Sequence, residues 1–117
     1  MIKLAKSEEE YVQCAEFLKK HDAFVLPSTV LFYIEGKSGD ILSVAGYNRE
    51  FGGCIEPLYS ENKISALRMF YFMQGLIKGL GYKYIRARTI DESVANQLLT
   101  DGFTIYNHNH NEFIKEI

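Results

Sequence analysis

Residues 54–89, CIEPLYSENKISALRMFYFMQGLIKGLGYKYIRART, constrain this chain more than any other stretch. The apolar run over 54–59 reads as a strand, and β-branched and aromatic residues return over 82–89 as a second one. Between them, Ala66, Met69, Phe70, Met73, Ile77 and Leu80 recur at helical spacing, and Leu67, Phe72 and Leu76 widen that stripe. Arg68, Tyr71, Gly75 and Lys78 fall on the wet side, so residues 62–80 predict one long helix. Gly81 ends it, as a residue that takes a left-handed conformation without steric penalty. A strand, a helix and a strand of these lengths require a right-handed crossover and a parallel strand pair. The joint before the helix, Glu61-Asn62-Lys63-Ile64-Ser65-Ala66, holds no glycine, although a strand-to-helix turn that cradles phosphate is normally rich in it.

The flanking segments read as follows. Residues 1–5 form a short strand, and Ser7 with Glu8, Glu9 and Glu10 makes an acidic helix start with a capping box. Val12, Ala15, Phe17 and Leu18 carry that helix to Lys20 and His21, and a loop with Pro27 spans 22–28. Residues 29–35 are apolar on both alternating faces, which predicts a strand covered on both sides. A turn over 36–40 leads to a strand over 41–47, and a turn over 48–53 leads to 54–59, so the three strands predict an antiparallel meander. Asp91 caps a helix over 92–100 that stops at Asp101-Gly102, and 103–106 with 112–117 close a hairpin around 107–111. The order β-α-β-β-β-α-β-α-β-β is an α+β fold, a mixed sheet flanked by helices.

A length of 117 residues suits one domain spanning 1–117. Thirteen basic against 15 acidic residues leave −2, so no basic field points to nucleic acid or to an anionic membrane. No apolar run approaches the roughly 20 residues of a membrane span. The acidic turn of MIKLAKSEEE gives no sign of export and points to the cytoplasm. Cys14 and Cys54 read as buried thiols, with a catalytic thiol as the alternative. His108 and His110 alternate with Glu112 nearby, but a stable metal site needs three or four ligands, so a polar hairpin tip and no metal are expected.

Residues 55–59 ahead of the joint, the helix end Gly81-Tyr82, the strand 84–88 and DESVANQLLTDGF (91–103) together resemble the GNAT superfamily of acyl-CoA-dependent N-acetyltransferases. The resemblance implies that parted central strands receive pantetheine and that amides of the joint grip its pyrophosphate. The cofactor is then acetyl-CoA, held along Ile55, Pro57 and Leu58 and at Asn62, Lys63, Ile64, Ser65 and Ala66. Pro57 fits, since a residue without an N–H cannot complete a central ladder. Two signature positions depart: Glu61 stands where the family has Arg or Gln, and Ile64 where it requires glycine. Leu98 falls where many members place a tyrosine that protonates the departing thiolate. The resemblance makes Glu56 or Glu50 the general base, Tyr59 or Tyr71 a replacement acid, and the acceptor an amine on a small molecule or a protein.

Two other features stay open at the level of sequence. Arg86 and Arg88 share a strand face with Tyr84 and either receive an anion or serve solubility. Tyr71, Phe72 and Leu76 either form an interface, such as a homodimer, or lie beneath the first helix and the last hairpin. Glu61, Ile64 and Leu98 also motivate a second reading, a GNAT-shaped binding or structural module without catalysis, of the kind the resemblance associates with phage-borne genes.

Overall fold

The computed structural model describes residues 1–23, 25–89, 92–107 and 111–117. Asp91, His108 and His110, singled out above, lie outside them. The chain opens with β1 (Ile2–Leu4) and α1 (Glu8–Lys20). The capping box is present: Glu10 N–H donates to Ser7 Oγ at 3.1 Å, and Ser7 N–H donates to Glu10 Oε1 at 3.2 Å. β2 (Val30–Glu35) pairs antiparallel with β1 and with β3 (Ile41–Tyr47). Its alternation serves two cores, as the two-faced apolar pattern predicts. Leu31 and Tyr33 pack with Cys14, Phe17 and Leu18 of α1, whereas Phe32 and Ile34 belong to the core on the opposite face.

That opposite core is built by α2 (Lys63–Gly79) and α3 (Glu92–Thr100). Met69, Phe70, Met73, Ile77 and Leu98 pack there against Ala45, Ile55, Ile85, Ala87, Phe103 and Phe113. Phe32 meets Phe72 edge-on at 5.0 Å, so the sheet, rather than α1 or the last hairpin, covers Phe72 and Leu76. Tyr71 stays exposed and donates to Asp101 Oδ1 at 3.1 Å. Gly81 follows the helix with φ +95°, the conformation expected of it. Among the described residues no helix is long and apolar enough to cross a membrane.

The largest difference from expectation lies in residues 54–59, which split. β4 (Cys54–Ile55) pairs in parallel with β6 (Tyr84–Arg88), and β5 (Leu58–Ser60) pairs antiparallel with β3. At the break, Gly46 N–H donates to Pro57 C=O at 2.8 Å, and Glu56 N–H donates to Gly46 C=O at 3.0 Å. Two residues thus face one, a β-bulge, because Pro57 has no N–H with which to continue the ladder. β7 (Thr104–Asn107) and β8 (Glu112–Glu116) complete two half-sheets, ordered β1-β2-β3-β5 and β4-β6-β8-β7. Apart from that split, the element order is the predicted one.

Both cysteines are buried, and burial pushes the Cys14 thiol up to about 12 and the Cys54 thiol up to about 11. Neither is a thiolate near neutrality, so the catalytic-thiol alternative loses its nucleophile.

α1 is tied to the sheet by Tyr33, whose hydroxyl donates to Glu10 Oε2 at 2.6 Å. This bond is the main cause that lowers the Glu10 carboxyl and raises the Tyr33 phenol to about 12. A lowered carboxyl contributes stability above its unfolded pKa and loses it as pH falls through the folded value; a raised phenol contributes below its unfolded pKa and loses it as pH rises toward the folded one. Tyr33→Phe should therefore lower Tm most between about pH 5 and pH 9, with the gap from wild type closing on both sides. Thermal melts across pH measure it, and a constant gap sinks the assignment.

Candidate functional site

The bulge opens a slot in the sheet. β4 ends one half-sheet and β5 ends the other, so two strand edges diverge from Glu56 and Pro57. Pro57 C=O bonds Gly46 and Glu61 N–H bonds Leu42 C=O, which sets odd-numbered residues of this strand toward β3. By the alternation of an antiparallel ladder, Leu58 and Ser60 direct their N–H and C=O groups into the slot. The far lip is β6, paired with β4 as far as Ile55↔Ala87. At about 3.3 Å per residue the β5 edge from Pro57 to Asn62 runs roughly 17 Å. It ends on the first turn of α2.

The sequence shapes that helix start through its cap. Asn62 Oδ1 accepts from Ser65 N–H at 2.8 Å, and Asn62 C=O accepts from Ala66 N–H at 3.1 Å. The N–H groups of Lys63 and Ile64 have no intrahelical acceptor. Ile64 points outward with 74% of its surface exposed, so it does not plug the helix start. Ser65 turns its side chain inward, and Ala66 is half-buried. The Glu61 carboxylate is drawn toward the end of α1, 3.7 Å from His21 Nε2 and 4.0 Å from Lys20 Nζ. Nothing in the sequence signals this contact, whose partners lie far upstream beyond four strands, β2 to β5.

The proton-handling candidates scatter. Glu56 stands at the bulge, where Cys54 Sγ approaches its Oε2 at 3.9 Å, on the face opposite Ile55 and α2. Glu50 lies in a 3₁₀ turn (Arg49–Phe51), its N–H bonded to Asn48 Oδ1 at 3.0 Å. It borders a cleft of about 480 Å³ with Phe32, Leu76 and Leu80, on the α2 face, so the two acids lie on opposite sides of the sheet. Tyr59 leans over the α1 face, its ring 5.6 Å from that of His21. Leu98 is core. Of the backbone donors over 55–58, Glu56 N–H is taken by Gly46, Pro57 has none, and Leu58 N–H faces the slot.

No family model and no curated protein matches the sequence. Solved structures do match the fold. A structure described as a "putative acetyltransferase" from Exiguobacterium sp. 255-15 superposes with TM-score 0.72 at 11% identity, covering 99% of this chain and 92% of that one. An acetyltransferase of the GNAT family from Staphylococcus aureus Mu50 gives 0.71 at 10% identity, covering 99% of each. An acyl-CoA N-acyltransferase, likewise described as "putative", from Klebsiella pneumoniae subsp. pneumoniae MGH 78578 gives 0.64 at 11% identity, covering 99% and 96%. With its split central strand, crossover helix and closing hairpin, this chain has the GNAT fold.

Proposed function

We propose that the chain is an acetyl-CoA-dependent N-acetyltransferase acting on an amine. The slot at Glu56-Pro57 carries the reading: one strand leaves its parallel partner, crosses to the other half-sheet and leaves an amide edge leading to a helix start. The residues present fit the cofactor. Leu58 and Ser60 offer N–H and C=O groups to an extended amide-bearing arm, as a sheet edge does to an added strand. The N–H groups of Lys63 and Ile64, with the Lys63 ammonium, suit a diphosphate. When bound, acetyl-CoA supplies an acyl carbon activated as a thioester. Leu58 N–H is placed to donate to a carbonyl oxygen as it gains negative charge. Glu56, beside it at the bulge, accepts the proton that an ammonium acceptor must lose. Glu50, on the other face, has no part in this reading, and Tyr59 is too turned toward His21 to be assigned a step.

Calorimetry and thermal shift with acetyl-CoA test the proposal. A ligand at a hundredfold excess over its dissociation constant stabilises by about 2.7 kcal/mol. No heat and no shift at millimolar ligand would end it. Glu61→Gln should tighten binding by roughly threefold to tenfold, and more at low salt, because it removes a carboxylate beside the diphosphate seat. An unchanged affinity would place the diphosphate elsewhere.

A second reading, a GNAT-shaped binding module without catalysis, draws on two observations. Asn62 Oδ1 already occupies Ser65 N–H, and Leu98 offers no proton from the core. It predicts no response to CoA and a stoichiometric protein partner that is never acetylated.

A further inference from the structure

The mouth of the slot carries opposite charges on its two lips. Cys54 and Ile55 of β4 pair with Arg86 and Ala87 of β6, so the next residue on each strand, where they part, is Glu56 on one lip and Arg88 on the other. Both lie on one face. Neighbours in a parallel pair point to the same side, Cys54 reaches Glu56 at 3.9 Å, and Arg86 and Arg88 both reach Glu112. No ion pair joins Glu56 to Arg88 among the described residues. This is the face that α1 covers over β2 and β3, and Tyr84 and Arg88 remain exposed beyond it.

The arginine lip is built rather than incidental. Glu112, its side chain only 7% exposed, sets a single oxygen, Oε1, 3.3 Å from Arg86 Nη1 and 3.8 Å from Arg88 Nη2. Two guanidinium groups thus reach one carboxylate. The Arg88 contact is too long for a hydrogen bond, and half of its side chain (52%) is open to solvent, so its fork retains donors for a carboxylate.

We infer that the acceptor is a small zwitterion, an amino acid whose ammonium sits against Glu56 and whose carboxylate is held by Arg88. Adjacent strands lie about 4.8 Å apart where they last pair, so the two charges of the ligand stand only a few bonds from each other. A polyamine or an amine without an acid would set a second cation, or nothing, against the arginine lip. The inference rests on the transferase reading for its chemistry, but recognition of the zwitterion needs only the two lips.

The test is a thermal-shift series on the full chain against the common L-amino acids, each beside its own amide, with and without CoA. At least one amino acid should raise Tm at a concentration about tenfold below that of its amide. Arg88→Gln should erase that preference while the response to CoA persists, and Arg88→Lys should restore part of it. The inference is overturned when no acid outperforms its amide, or when Arg88→Gln keeps the preference, the result expected of a purely structural Arg88–Glu112 pair. Should Arg88→Gln not fold, the wild-type comparison of acid with amide decides alone. A preference without any CoA response sinks the transferase and keeps the site; a CoA response without a preference does the reverse.

Discussion

Gly53→Ala should melt more than ten degrees below the wild type. A Cβ at this position would run into the backbone C=O of Tyr84, closer than real Cβ contacts come. The obstacle is main chain, held on both sides. Arg86 N–H donates to Gly53 C=O at 2.7 Å, and Tyr84 pairs with Glu116 across β8. Ile77 Cγ2 and Tyr82 Cβ close the remaining space at 3.3 and 3.4 Å. Relief therefore requires β4 to lift from β6, the one parallel pairing on which the slot depends. A cost of about 3 kcal/mol is the scale of such overpacking, roughly 10–15 °C for a chain of this size. Gly75→Ala is the control: it lies exposed in mid-α2 with nothing within 4 Å of its added Cβ, and should stabilise by about 0.5–1 kcal/mol through helix propensity. Equal melting of the two variants would mean that β4 does not seat on β6 as described.

What could be read from the sequence, and what could not, divides along a physical line. The capping box at Ser7, the apolar stripe of α2 as far as Ile77 and the stop at Gly81 are local patterns, and each forms where its pattern predicts, whereas Leu80, read as the end of that stripe, is exposed. The split at Glu56-Pro57 was half legible. Pro57 signals an interrupted ladder, but which half-sheet takes each piece depends on Gly46 and Arg86, residues of other strands. Glu61 read alone is an adverse charge; Lys20 and His21 meet it only because α1 ends beside β5. Glu50 and Glu56 looked equivalent because both precede the joint, and only the pleat and the turn separate them by face. Arg88 likewise gains meaning from register, which sets it one step past the last paired residue and opposite an acid.

In the proposed transfer, Glu56→Gln lowers kcat/KM by about 10²- to 10⁴-fold at neutral pH, the usual contribution of a positioned base. Glutamine keeps the shape and the hydrogen-bonding reach of the side chain but cannot take a proton. The dissociation constant for CoA should stay within about twofold, because Glu56 lies at the bulge end of the slot and the diphosphate seat is at α2, roughly 17 Å along the strand. The loss should also shrink as pH rises, since an amine that has already shed its proton no longer needs the base; a variant rate that climbs about tenfold per pH unit below the amine pKa is the signature. Glu50→Gln, on the opposite face, should leave the rate within about twofold, comparable to any surface change remote from a reacting group. Stopped assays of CoA release across pH measure the rates, and calorimetry with CoA measures the dissociation constant. Should Glu56→Gln match the wild type at neutral pH while CoA still binds, proton removal belongs to solvent and the bulge only positions the reactants. Should Glu50→Gln be the damaging change instead, the acceptor approaches from the α2 face, and the charged lips of Glu56 and Arg88 play no part in transfer.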